Sequence, residues 1–283
     1  MHLNHVGFLD IPFPFYYVNI VPLVLCVGLI WFYNKGIKNN PNPSYKISRW
    51  RKISFHLSIV ALFLSLEPPI DLYADDSFII HQIQHALIRM IFPPLFLLGN
   101  PVTPLLRGVP NWAFNKIFNP IMNSRGVNAY YNFITKPLVT VILYMLILYV
   151  WQVSFIHNLS VENIYVHQIM HITMIVSSLL FWWLMIDSHP HQSRLHYGLR
   201  ILFLGLLIFP NTFLGSLITF SGTAFYTAYD PLNSPIPVSL ITDQRIGGLI
   251  LWMSGDMMNV IAAAVIMGVW YNKEEGNRPE PYT

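Results

Sequence analysis

Two short stretches carry side chains whose type and spacing could do chemistry, His81-Gln-Ile-Gln-His85 and His167-Gln-Ile-Met-His171. In a helix, residues four apart lie one above the other on the same face, so each stretch stacks two imidazoles on a single face. Paired imidazoles at this spacing direct two nitrogens toward one point, and two such helices supply up to four ligands, a set suited to zinc or copper. Ligation requires neutral imidazole. Each pair opens an apolar run, so it falls near a helix N-terminus, whose partial positive charge disfavours the protonated ring. Met174 falls on the same face as His167 and His171, and a thioether there suits Cu(I). A methionine in an apolar helix also serves as core filling.

The elements that must position these pairs are membrane helices. Of the 283 residues, 54% are hydrophobic and 10% charged, far below the roughly 25% charge of a soluble domain. The fold class expected is all-α, a polytopic integral membrane protein. About 20 apolar residues cross a bilayer core, and seven segments qualify, near Tyr16 to Tyr33, Ile53 to Leu66, His81 to Leu98, Pro137 to Phe155, Ile164 to Ile186, Tyr197 to Phe220 and Ile246 to Trp270. The second is the shortest. Residues 1–272 read as one transmembrane domain and 273–283 as a polar tail. Met1 to Asp10 lacks the basic start of a cleaved signal peptide, so the first span is expected to be retained. In such a chain the net charge of +3 says little about nucleic acid; the expected surroundings are lipid, with no nucleic-acid partner.

Loop charges set the orientation. Lys35, Lys38, Lys46, Arg49, Arg51 and Lys52 lie between spans one and two without an acid, and Arg107, Lys116, Arg125 and Lys136 lie between three and four. Between two and three the charges are Glu67, Asp71, Asp75 and Asp76. Basic loops face the cytoplasm, which predicts the N-terminus outside and the C-terminus inside.

With that orientation the four histidines fall at the outer ends of spans three and five, at similar depth. His157, Glu67, Asp243 and Gln244 join them from neighbouring outer segments. Asp243 is counted as a candidate ligand, with Glu67 and His157 as additional ones beside Met174. Deeper in the membrane lie Arg89 and Asp256, each expensive alone in hydrocarbon; they are expected to approach one another or to share a polar network with Asn259. His189, His191 and His196 sit on the opposite side around Pro190 and read as a solvated loop. Pro93-Pro94 and Pro210 should kink spans three and six, and the glycines and alanines of span seven allow close helix packing. Cys26 is alone in an apolar run, which excludes a disulfide framework and reads as a small buried hydrophobe.

The chain resembles the CtaG family of membrane proteins associated with assembly of caa-type cytochrome c oxidase. The resemblance lies in His81-x-x-Gln84-His85 running into Pro93-Pro94-Leu-Phe-Leu-Leu-Gly99-Asn-Pro101, in His167-x-x-x-His171 running into Phe181-Trp182-Trp183, in Phe209-Pro210-Asn-Thr-Phe-Leu-Gly215, and in Asp243-Gln244-Arg-Ile-Gly247-Gly248-Leu-Ile-Leu-Trp252. It implies a multi-pass bacterial plasma-membrane protein that helps a terminal oxidase acquire activity, with copper handled on the outer side. The family's histidine pairs correspond to His81, His85, His167 and His171, and its Asp-Gln to Asp243 and Gln244. The function expected is a non-enzymatic assembly factor that binds copper and supports its delivery, with oxidase subunits or other assembly proteins as partners. The competing reading is an intramembrane zinc hydrolase with Asp243 or Glu67 as base. A haem protein fits less well, because an i, i+4 pair leaves one imidazole without an axial position.

Overall fold

The computed structural model describes residues 19–39, 46–188, 193 and 195–276. His189, His191, the N-terminal ten residues and the tail beyond 276 lie outside the described residues. Those described form helices and no strands. Helix α1 is Ile20–Lys38, opened by the Asn19 side chain, which accepts from the Val21 amide, and α2 is Arg49–Leu66, opened by Ser48. A short α3, Ile70–Ala74, leads into α4, Phe78–Ala86. A π-helical turn at Leu87–Ile91 separates α4 from α5, Phe92–Leu98. Helices α6 (Val102–Gly108), α7 (Asn111–Ala113), α8 (Asn119–Asn123) and α9 (Arg125–Ile134) form the following connection. The remaining helices are α10 (Pro137–Gln152), α11 (Ser154–Glu162), α12 (Ile164–Met185), α13 (Tyr197–Thr219) and α14 (Leu240–Gly276).

Among the described residues four helices, α1, α12, α13 and α14, are individually long and apolar enough to cross a membrane. Two bent pairs, α4–α5 with α6 and α9 with α10, each turning by 75°, raise the number to six if each pair is one span. The seventh expected span is α2, which falls short because its 18 residues begin with Arg49, Arg51 and Lys52. Exposed apolar residues such as Leu202, Leu206, Phe209, Phe213 and Leu217 recur along one flank of α13. Such a stripe is at home against lipid chains.

The broken α4–α5 segment is central, with α2, α12 and α14 packed against it. Its break follows from Pro93 and Pro94, which offer no amide to the preceding turn. The Arg89 carbonyl, which an ordinary residue 93 would satisfy, accepts instead from the Trp182 indole at 2.9 Å. Pro210 does not end α13; its carbonyl accepts from the Tyr149 hydroxyl at 2.7 Å. Small residues sit where α13 and α14 cross: a Cβ on Gly215 of α13 would overlap Trp252, and one on Gly248 of α14, a glycine expected to allow close packing, would come 2.7 Å from the Thr219 hydroxyl. Cys26 is buried in an apolar cluster with Tyr33, Phe55 and Phe92.

Candidate metal centre

Helices α4 and α12 start at the same end of the bundle, and their first two turns bring the two histidine pairs together. His81 and His167 stack with ring centroids 5.1 Å apart, and the His85 and His171 centroids are 5.9 Å apart. All four residues are at least 93% buried, His171 being the most exposed at 7%. Within each pair the Nε2 atoms face one another, at 3.0 Å for His81 and His85 and 3.2 Å for His167 and His171. Metal–nitrogen bonds of 2.0–2.1 Å in a tetrahedron place neighbouring nitrogens about 3.3 Å apart, so both spacings fit adjacent corners. Ligand atoms of His81, His85 and His171 lie within 4.8 Å of one another, as do those of Asp71, His167 and His171. His171 belongs to both groups.

Hydrogen bonds around the cluster determine which nitrogen of His81 is free. The Trp151 carbonyl can only accept, so His157 Nδ1, 2.8 Å away, carries a proton. Neutral His157 must then accept at Nε2, and the Tyr229 hydroxyl donates to it at 2.7 Å. With its proton committed, the Tyr229 oxygen accepts from His81 Nδ1 at 2.8 Å. His81 therefore presents a bare Nε2 lone pair toward His85, the tautomer a metal requires. On the other helix, Asp75 approaches His167 Nδ1 at 3.3 Å and leaves Nε2 for the shared point. Gln84 donates at 2.7 Å to both Asp71 and the Ser65 carbonyl, which fixes the Asp71 carboxylate beside His167 and His171. Burial pushes the Asp71 carboxyl above its ordinary value, although His167 and the Gln84 hydrogen bond pull the other way.

Several expected site residues have other partners. Asp243 belongs to neither of these two ligand groups. Its carboxylate accepts from the Ser77 hydroxyl at 2.7 Å, the Phe78 amide at 2.7 Å and the Ile79 amide at 3.2 Å, so it caps the N-terminus of α4 from another helix. The next residue, Gln244, accepts from the amides of Phe225 and Tyr226 and donates to the carbonyls of Ile218 and Thr223. The Asp-Gln pair thus fixes both the helix that carries the first histidine pair and the loop that carries Tyr229. His157 has both nitrogens engaged and orients His81. Glu67 accepts from the Asn19 amide at 2.9 Å and ties α1 to the end of α2. Met174 is fully buried among Met170, Ile88 and Trp151.

Arg89 and Asp256 do not pair. Asp256 accepts from Asn211 at 2.9 Å and from the Thr212 hydroxyl at 2.6 Å, both on α13. The Arg89 guanidinium lies 4.5 Å above the Tyr144 ring, and no hydrogen bond joins Asn259 Oδ1 to either charge. Sequence reasoning missed Tyr229 and the site role of Asp71 and Asp75. Tyr229 stands in a connection rich in small residues with no periodicity to mark it, whereas the two acids were legible as loop charges beside the first histidine pair.

The model of the cytochrome c oxidase caa3 assembly factor family matches residues 21–273, nearly the whole described chain. Curated relatives include uncharacterized proteins of Mycobacterium bovis, Mycobacterium tuberculosis and Mycobacterium leprae. Each is 26% identical over 231 residues, which is 79% of this chain and 34% of the relative. The chain thus spans about a third of the length of the curated relatives it matches. No solved structure matches it.

Proposed function

The chain belongs to the family of cytochrome c oxidase caa3 assembly factors, and on that premise we propose that its histidine cluster binds copper for delivery to an oxidase at the outer face of a bacterial plasma membrane. The observation that carries the reading is the pair of buried Nε2–Nε2 contacts at 3.0 and 3.2 Å, one of which includes a His81 whose proton is committed elsewhere. Two imidazole nitrogens so close must share a proton or a cation. His81, His85, His167 and His171 would hold the metal, with Asp71 at its edge. Copper is cargo in this scheme, and adaptable ligation suits cargo: His171 belongs to both ligand groups, so the ion can shift between helices by exchanging partners one at a time. Met174, one turn from His171, supplies a soft thioether toward the bilayer interior.

The basic connections support the orientation with the cluster outside, the side on which an oxidase subunit would receive the ion. Partners are then oxidase subunits or companion assembly proteins. The role proposed is non-enzymatic. The zinc hydrolase reading has less support, since the Asp243 carboxylate caps α4 and one Glu67 oxygen accepts from the Asn19 amide. A deletion strain tests the reading: the oxidase should be made but lack copper and activity, and both should return with the parent gene and not with His81→Ala plus His171→Ala. Oxidase copper and activity equal to the parent strain would refute it.

A further inference from the structure

A second site lies beside the histidine cluster on the same helix, shares His85 with it and does not depend on the copper reading. Gln82, His85 and Arg89 follow one another at helical spacing on α4 and its π turn, and all three line a cavity of ≈ 10 Å³ walled by Leu148, Leu251 and Ser254. Three of their buried nitrogens have no hydrogen-bond partner: Gln82 Nε2, His85 Nδ1 and Arg89 Nε. The residues are 2%, 4% and 4% exposed. Arg89 also lacks a carboxylate, because the ion pairs among the described residues are His167 with Asp75 and Arg200 with Asp187.

A buried cation without a counter-charge is the most expensive arrangement a membrane helix can hold. What Arg89 has within the protein is the Tyr144 ring 4.5 Å below it and a long 3.5 Å contact to the Tyr144 carbonyl. A desolvated cation–π contact contributes about 2 kcal/mol, against an ion desolvation penalty of several kcal/mol. A water would satisfy donors and leave the charge uncompensated. The cavity holds about one particle of water size, which suits a monatomic ion.

We propose that this cavity binds a monatomic monovalent anion of the halide class, held by Arg89 Nε and Gln82 Nε2. The anion neutralises Arg89. When a cation occupies the cluster, His85 Nε2 is a ligand, its proton sits on Nδ1 and the anion accepts from it as well. The two sites are thereby linked through opposite nitrogens of one ring, as His81 is held by Tyr229 from its own far side.

The test measures melting temperature of metal-free, full-length protein in detergent while chloride replaces gluconate at constant ionic strength. The parent should melt about 3 °C or more higher in chloride, with a saturable dependence on its concentration. Gln82→Glu places a carboxylate beside Arg89 and should abolish the chloride dependence. Gln82→Leu, which removes one donor and adds no charge, should shift the half-maximal chloride concentration upward several-fold. A parent melting temperature equal in the two salts would overturn the proposal, as would a chloride effect that persists undiminished in both variants.

Discussion

Replacing Tyr229 with Phe removes a single oxygen and tests the hydrogen-bond chain that sets the His81 tautomer. That oxygen accepts from His81 Nδ1 at 2.8 Å and donates to His157 Nε2 at 2.7 Å, and both rings are fully buried. Its loss orphans one donor and one acceptor where water does not reach. Each orphan costs about 1–3 kcal/mol, so a loss of stability of about 2–6 kcal/mol is expected. His81 also loses the group that keeps its proton on Nδ1, and removal of such an orienting partner lowers metal affinity about 10- to 100-fold. Tyr226→Phe is the matched control. The Tyr226 ring is equally buried, but its hydroxyl donates to Gln152 and does not contact a histidine. Competition against a colorimetric Cu(I) chelator under anaerobic conditions should show weakened copper binding in Tyr229→Phe and parental binding in Tyr226→Phe, with both variants less stable. Equal affinities in the two variants would refute the relay.

Asp243→Ala should lower the melting temperature markedly, since it strips three hydrogen bonds from the start of α4; a cap alone contributes about 0.5–2 kcal/mol. Copper stoichiometry should survive while affinity falls, a pattern that separates a positioning residue from a ligand. In the α12–α13 connection Asp187 accepts from Arg200 at 3.0 and 3.2 Å. Burial alone would raise its carboxyl, but the hydrogen bonds from Arg200 and the Ser193 amide outweigh that and hold it below the ordinary carboxylate value. Its contribution is therefore present above the unfolded pKa of about 4 and lost as pH falls through the lower folded value. Acid titration of the melting temperature should show a steeper decline below about pH 4 in the parent than in Asp187→Asn. Gly36→Ala should destabilise strongly, because a Cβ there would overlap the Pro104 carbonyl oxygen where α1 crosses α6; a rise of stability, read by thermal melting, would contradict the packing.

The membrane class and the convergence of α4 with α12 could be read from the sequence for definite reasons. Apolar runs of span length and acid-free basic loops are patterns of composition, and the two histidine pairs each open such a run at what loop charge marks as one side. The roles of the neighbouring residues were not legible in the same way. Asp243 and Ser77 are 166 positions apart, and no local pattern distinguishes a carboxylate that caps a distant helix from one that binds metal. Arg89 and Asp256 each looked uncompensated, and pairing them was the economical guess. Neighbours on α13 satisfy Asp256 instead, through Asn211 and Thr212 beside Pro210. The α2 segment exposes a limit of length counting: three cations in its first turn leave too short an apolar remainder. The blocks that carry the family resemblance acquire physical meaning only in three dimensions, where Trp182 satisfies the Arg89 carbonyl that Pro93 leaves free and Gln84 holds Asp71.

The central claim, that the imidazole cluster holds copper, is tested most directly by metal analysis of the full-length protein purified in detergent after equilibration with Cu(I) and removal of excess. A single copper ion should remain with the parent and be absent from His81→Ala plus His171→Ala of matching helical content. Well-folded parent protein without copper, or a copper content unchanged in the double variant, would contradict it.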